Sequence, residues 1–81
     1  MRFRDDTHYL QRRAQYAIIG NREGHRIEVH VRDCSYLLRP IDLGQHLTSY
    51  PKYGAHTIDE LAHDATRDGC VLTYDCKCQR C

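Results

Sequence analysis

Residues 15–32 contain the pattern that most restricts the fold: two runs of strand-forming residues on either side of a glycine-containing turn. The runs are QYAIIG and HRIEVHVR, with NREG between them. Such an arrangement predicts a β-hairpin. In the second run Ile27, Val29 and Val31 alternate with polar residues, so one face of this strand is apolar and the other is polar. We therefore expect one face of the hairpin to pack on the core and the other to meet water.

Residues 57–69 predict the helix that covers the apolar face. Thr57 and Glu60 have the spacing of a capping box, and Gly69 provides a C-terminal stop. Apolar residues recur between these signals at helical spacing: Ile58, Leu61, Ala62 and Ala65. We expect a helix over residues 58–68 whose apolar stripe, carrying Leu61, packs on the hairpin.

The remaining segments carry weaker signals. CVLTYDC at residues 70–76 predicts a C-terminal strand, and DDTHYLQRRA can begin a short helix with Asp6 or Thr7 as its N-cap. Pro40 and Pro51 interrupt residues 33–56, which we interpret as irregular, with an exposed loop at residues 50–56.

Together these elements predict an α+β fold. The expected architecture is a small antiparallel sheet, made of the hairpin and the C-terminal strand, packed against one main helix, with a short N-terminal helix. A chain of 81 residues fits a single domain spanning residues 1–81, and its cysteine-rich tail is residues 76–81.

Tyrosine and arginine dominate the residues suited to binding. The chain has six tyrosines, and its arginines outnumber its lysines ten to two. Both residue types are enriched at protein interfaces because they combine large contact area with directional hydrogen bonds. A GC-rich genome, which favours arginine codons, explains the arginine excess equally well.

The charge of the chain is nearly balanced but unevenly distributed. The net charge of +1 argues against a protein that coats nucleic acid through many unopposed phosphate contacts. Four arginines lie in the first thirteen residues, and five acids lie in residues 57–75. We therefore expect a basic end and an acidic helix face. The basic residues are Arg2, Arg4, Arg12 and Arg13.

The chain ends in CKCQRC, which is a candidate metal site. Cys76, Cys78 and Cys81 can supply three of the four thiolate or imidazole ligands that structural zinc requires. Cys70 is excluded as the fourth, since six residues of extended strand span about 20 Å. Cys34 is favoured if the last strand pairs beside the second. The other candidates for the fourth ligand are histidines: His30, His46 and His56.

Two alternatives to zinc remain open for this tail. The cysteines can form a disulfide, which leaves one of the five over, or they can stay as free thiols.

Several polar residues fit ordinary structural roles. Asp59, Glu60 and Asp64 suit a solvated helix face, and His25, His30 and His63 are expected to be exposed. The sequence has no metalloprotease, P-loop, dinucleotide or nucleophile-elbow motif, so we expect a protein without enzymatic activity.

The function that these features favour is binding to a larger protein. The expected contacts are the tyrosine-bearing loop and the basic end: Tyr50, Lys52, Tyr53, Arg2, Arg4, Arg12 and Arg13. A small, motif-free domain of this kind suits the inhibitors of phages and mobile elements, of the anti-CRISPR or anti-restriction type, by analogy alone.

Two other functions remain alternatives. One is a small zinc-stabilised nucleic-acid-binding protein, in which arginines contact phosphates and tyrosines stack on bases. The other is a thiolate protein that handles metal ions. The chain has no run of eighteen apolar residues, and MRFRDDTHYL lacks the apolar stretch of a signal peptide. We therefore expect a cytoplasmic protein that does not associate with membranes.

Overall fold

The computed structural model describes residues 1–44 and 51–74, which form an α+β fold as the sequence predicts. A single 3₁₀ turn, Arg13–Gln15, follows the first helix. The helices and strands are, in chain order, α1 (Asp6–Arg12), β1 (Ile18–Glu23), β2 (Arg26–Val31), α2 (Ser35–Asp42), β3 (Lys52–Ala55), α3 (Ile58–Arg67) and β4 (Val71–Thr73). Within the described ranges, no helix has the length and apolar character needed to cross a membrane.

The four strands form one mixed sheet in the order β3-β1-β2-β4. β1 pairs antiparallel with both β2 and β3, whereas β4 runs parallel to β2, with Arg26 opposite Val71. The expectation of a wholly antiparallel sheet is therefore wrong at its last strand. Because β3 and β4 run in the same direction on either side of the hairpin, α3 must cross over the hairpin to connect them.

The predicted hairpin is confirmed, with its turn slightly later than expected. β1 continues through Glu23, which pairs with Arg26, so the turn falls on Gly24 and His25. Gly24 has a φ of +61°, in the left-handed region that glycine adopts without the steric cost of a Cβ atom.

The first core cluster lies between α3 and the hairpin. Leu61 and Ala65 of α3 pack with Ile27 and Val29 of β2, and Leu61 is fully buried. This contact confirms the predicted packing of the helix stripe. Ile58, which was placed in the same stripe, is 43% exposed, because it lies at the first residue of α3 and beyond the edge of the cluster.

Local signals fix both ends of α3. The Thr57 side chain accepts a hydrogen bond from the backbone N–H of Glu60 at 3.2 Å, as the capping box predicts. At the other end Gly69 has a φ of +70°, and the backbone N–H of Cys70 donates to the Ala65 carbonyl at 2.7 Å. This 6→1 bond is the signature of a Schellman motif, which terminates the helix at Asp68.

A second core cluster covers part of the opposite face of the sheet, which we expected to be wet. The cluster contains Phe3, Tyr9, Ile19, Cys34 and Leu37. Ile18 and Ile19 are adjacent in β1, so their side chains point to opposite faces of the sheet. Each face therefore carries an apolar side chain that packs in a core cluster. His30 lies on this second face and is only 3% exposed, so the expectation of an exposed histidine is wrong there. His25 and His63 are exposed as predicted.

The sequence interpretation missed two elements in residues 33–56. α2 forms despite Pro40, and β3 pairs with β1 along Lys52–Ala55. The prediction of an exposed loop at residues 50–56 is therefore wrong for Lys52–Ala55, which form β3. Tyr53 is fully buried in the first core cluster. His56 is exposed, and Tyr50 lies outside the described residues.

Candidate partner-binding cleft

The N-terminal segment lies along the outer edge of β3. The backbone N–H of Phe3 donates to the Lys52 carbonyl at 2.9 Å, and that of Gly54 donates to the Met1 carbonyl at 2.8 Å. Arg2 forms an antiparallel bridge with Tyr53 between these two bonds. The edge of β3 is thus paired over this stretch, and the first residues of the chain are held as an added strand.

The α-amino group of Met1 ties this segment to α3. It donates to the Gly54 carbonyl at 2.8 Å and forms an ion pair with the Asp64 carboxylate. Arg67 lies 3.4 Å from the same carboxylate. We expected Asp64 on a solvated helix face, but it is 9% exposed because the N-terminal segment covers it.

Phe3 anchors the segment in the second core cluster. Its ring makes edge contacts with the rings of Tyr9 and Tyr16, with centroids 5.3 Å and 5.7 Å away. Gly54 makes room for this arrangement, because a Cβ atom there would lie 2.8 Å from Phe3 Cζ and 2.7 Å from the Tyr16 ring. The buried ring therefore fixes the position of the residues on either side of it.

Arg2 and Arg4 flank the buried Phe3 and are both exposed. In an extended segment, alternate side chains leave on opposite sides, so a buried Phe3 turns its two neighbours outward. Both arginines line a cleft of about 250 Å³, which we call the N-terminal cleft; its wall consists of residues 2–6, Pro51 and Lys52. Across residues 1–44 and 51–74, neither guanidinium makes an ion pair or a hydrogen bond.

The acids of the N-terminal cleft have internal roles. The Asp5 carboxylate accepts a hydrogen bond from the backbone N–H of His8 at 2.8 Å and so caps α1. We expected Asp6 or Thr7 as this cap, and the helix begins one residue earlier than that. Asp6 lies near the ammonium group of Lys52 and favours its charged form.

Lys52 is half-buried and lines the cleft. Its Nζ donates to Asn21 Oδ1 at 2.6 Å across neighbouring strands. Burial lowers the pKa of Lys52, because removal from water disfavours the charged ammonium group, and Asp6 only partly opposes this effect.

The structure therefore brings together three of the residues predicted to bind a partner, namely Arg2, Arg4 and Lys52. Arg12 and Arg13 lie at the other end of α1 and do not line the cleft. The guanidinium of Arg13 donates to the Arg32 carbonyl at 2.5 Å, which gives it an internal role.

Tyr53 is a structural residue, which corrects its assignment as a partner contact. Its hydroxyl donates to the Asp68 carboxylate at 2.5 Å and accepts from Arg22 at 3.3 Å. Burial raises the pKa of Tyr53, and the hydrogen bond to Asp68 adds to the shift. The ring thus links β3 to the hairpin and to the C-terminal end of α3.

A polar surface continues from Lys52 across the uncovered half of the same sheet face. Asn21 and Glu28 lie opposite one another on β1 and β2 and line a second cleft of about 220 Å³. Next to them, His30 Nε2 lies 2.9 Å from a Glu28 carboxylate oxygen. Burial lowers the pKa of His30, although Glu28 favours its charged form.

An acidic groove follows α3, as the charge distribution predicts. Its volume is about 620 Å³. Asp59, Glu60 and Asp64 line it together with His63, Arg67 and Met1, and the Asp64 carboxylate is paired with Arg67 and with the Met1 amino group, so the acids of the groove without an ion pair are Asp59 and Glu60 among these described residues. Asp59 and Glu60 are exposed as expected. The N-terminal segment therefore has a cationic cleft at Arg2 and Arg4 and adjoins an acidic groove at Met1.

The predicted metal site falls largely outside the described residues, since Cys76, Cys78 and Cys81 lie beyond residue 74. β4 does pair beside β2, and in parallel, so it runs toward the end of β2 that leads to Cys34. Cys34 itself is fully buried in the second core cluster. Within the described ranges, no three histidine, cysteine or acidic side chains come together as a metal site.

Comparison of the chain with models of known protein families, with curated proteins and with solved structures finds no match.

One strong signal for the cleft is present in the sequence. MRFRDD places an apolar ring between two arginines, and a buried ring at Phe3 would turn both outward. Asn21, Asp5 and Asp6 carry no comparable signal, because their places in the site depend on strand pairing and on where α1 begins.

Proposed function

We propose that this protein is a non-enzymatic, cytoplasmic binding protein that covers an acidic surface of a larger protein, with the N-terminal cleft as its main contact. One observation carries the proposal: Arg2 and Arg4 are exposed beside one cleft and have no acidic partner in the described part of the chain. A guanidinium can bind a carboxylate through two parallel hydrogen bonds, so this arrangement suits glutamate or aspartate on a partner.

Pre-organisation supports the proposal. Phe3 is 4% exposed, and the backbone on either side of Arg2 is bonded to β3, so the start of the chain is held before a partner arrives. A fixed backbone reduces the conformational entropy lost on binding. Arginines presented in this way are typical of the residues that dominate interface energies.

The charge around the cleft favours a protein partner over nucleic acid. Asp5 and Asp6 lie in the cleft wall, and the acidic groove of α3 begins at Met1. A phosphate backbone that follows the surface would meet these acids, whereas a protein surface can place a single carboxylate between the arginines. By analogy with small inhibitors of phages and mobile elements, covering a functional surface of the partner would inhibit it.

The test is capture of a partner from a nuclease-treated lysate of the source cells, followed by quantitative mass spectrometry. The baits are the wild-type chain, an Arg2→Gln/Arg4→Gln variant and an Arg12→Gln/Arg39→Gln variant. Arg12 and Arg39 are exposed and lie outside the cleft, so the two variants lose equal charge at different places.

We expect one protein to be captured in near-stoichiometric amount by the wild type and by the Arg12→Gln/Arg39→Gln control. Loss of the two cleft arginines should reduce capture by roughly a hundredfold, since two charge-assisted hydrogen bonds contribute about 3 kcal/mol. Equal capture by both variants would place the interface elsewhere. A parallel capture from lysate without nuclease treatment tests the nucleic-acid alternative. Recovery of nucleic acid and no protein partner there would support that alternative.

We also propose that Cys76, Cys78 and Cys81 bind one zinc ion, with Cys34 as the fourth ligand. The parallel pairing of β4 with β2 supports this choice, because β4 leads toward the same end of the sheet as Cys34. Three thiolates within six residues form most of a tetrahedral zinc site, and a structural zinc ion would stabilise a domain with a small core.

A further inference from the structure

We propose that the outer edge of the N-terminal segment receives an extended acidic strand of the partner, which adds to the sheet beside Arg2. The inference rests on the proposed function, because it specifies the kind of partner segment that the exposed arginines would bind.

The backbone groups of Arg2 point away from the sheet. The Met1 carbonyl and the Phe3 N–H bond to β3, and Arg2 lies opposite Tyr53 between these two bonds. Along a strand in an antiparallel pair, successive residues direct their backbone groups to alternate sides. The N–H and the C=O of Arg2 therefore point outward, and across residues 1–44 and 51–74 neither group has a hydrogen-bond partner.

This edge is held in place before a strand arrives. β3 fixes the backbone on both sides of Arg2, and the ring of Phe3 is buried. An extended peptide that adds to a sheet edge gains affinity from main-chain hydrogen bonds and specificity from alternate side chains. The ladder available here is short, because the Arg4 N–H already donates to His8 Nδ1 at 3.1 Å. Beyond Arg2 the contact therefore depends on side chains.

The charge of the edge determines which strand it suits. A second copy of this chain, paired antiparallel through the same edge, would place arginine opposite arginine at position 2, and like charges directly opposite are destabilising. An acidic residue opposite Arg2 would instead share its sheet face and attract it. Side chains two residues apart lie on the same side of a strand, so a second acid two positions along would meet Arg4.

Both arginines are exposed and make no ion pair within the described ranges. The occupant is therefore an extended segment of the partner that carries two acidic residues separated by one other residue.

The test is a titration of isotope-labelled protein with the peptide acetyl-Thr-Glu-Thr-Glu-Thr-amide, followed by NMR of the backbone amides. A second peptide is N-methylated at both glutamates, and a third is N-methylated at the second and third threonines. The two methylated peptides have equal charge and equal numbers of methyl groups. Only the glutamate-methylated peptide lacks the N–H that would face Arg2, because the residue opposite Arg2 is the acidic one.

We expect the unmodified peptide to bind with a Kd on the order of 1 mM, as a few exposed hydrogen bonds and ion pairs allow, with the largest shift at the Arg2 amide. Methylation of the glutamates should weaken binding roughly fivefold, which is the contribution of one backbone hydrogen bond, and methylation of the threonines less than about twofold. Binding should fall severalfold in Arg2→Gln/Arg4→Gln and stay nearly unchanged in the Arg12→Gln/Arg39→Gln control.

Equal binding of the two methylated peptides would overturn the added strand. If that binding still required Arg2 and Arg4, the arginine contact of the proposed function would stand. The largest shifts at Val71–Thr73 would place the peptide on the opposite edge of the sheet and would overturn the inference, as would the absence of saturable binding. Equal binding by the two charge variants would contradict the proposed function as well.

Discussion

Leu61→Ala should remove a large part of the stability of this small domain. Leu61 is fully buried between α3 and the hairpin, and a Cβ atom built on Gly20 would lie 3.0 Å from Leu61 Cδ1. The leucine methyls thus rest on the backbone of a central strand, which cannot move in to fill a cavity. Buried leucines replaced by alanine lose about 2 to 5 kcal/mol, and we expect about 3 to 4 kcal/mol here.

That loss is large beside the total stability of about 4 to 12 kcal/mol expected for a domain of this size. The assay is urea unfolding followed by circular dichroism, and the midpoint should fall without a change in the slope. Ile58→Ala is the matched control on the same helix, since Ile58 is 43% exposed. We expect it to lose about 1 kcal/mol or less. If the two variants lose equal stability, the assignment of Leu61 to the core is wrong.

Three further outcomes follow from buried charges and from the tail. Asp64→Asn should lower the free energy of unfolding by about 1 to 3 kcal/mol in the same assay, because the charged Met1 amino group would remain in the fold without its carboxylate partner. An unchanged midpoint would show that this ion pair does not stabilise the fold. The lowered pKa of His30 means that the unfolded chain binds its proton more tightly, so stability should fall as the pH drops below about 6.5. His30→Gln should reduce the loss between pH 7 and pH 5, and an identical pH profile would refute this assignment. Protein purified without added metal should contain about one zinc per chain by elemental analysis, as one structural site requires. Cys78→Ser should abolish the zinc, and zinc-free protein with all cysteine thiols reactive would refute the site.

Local sequence signals were sufficient where one segment determines its own structure. Thr57, Glu60 and Gly69 fix the ends of α3 through bonds within a few residues, and the alternation in β2 gives the face that α3 covers. These features depend on spacing along the chain, which the sequence displays directly.

Other features depend on residues distant in sequence. We did not predict α2 because Pro40 lies within it. Cys34, Leu37 and Ile41 nevertheless recur at helical spacing and lie on the face of α2 that packs on the second core cluster. The parallel pairing of β4 and the burial of Tyr53 follow from how separate elements meet, which spacing alone does not encode.

The candidate site shows the same division. Arg2, Arg4 and Lys52 were identified from charge and from an expected loop, yet they share a cleft for a different reason. The N-terminal segment pairs with β3, where Lys52 lies. This pairing brings Arg2 and Arg4 to the same cleft as a residue about fifty positions later in the chain.

The most direct test of the proposed function is the affinity of the purified protein for its captured partner, measured by calorimetry for the two charge-matched variants. We expect the Arg2→Gln/Arg4→Gln variant to bind roughly a hundredfold more weakly than the wild type, as two lost charge-assisted hydrogen bonds require. The Arg12→Gln/Arg39→Gln variant should stay within about a factor of two, since exposed charges outside an interface contribute little. Equal weakening of both variants would mean that only overall charge matters, and it would contradict the N-terminal cleft as the binding site.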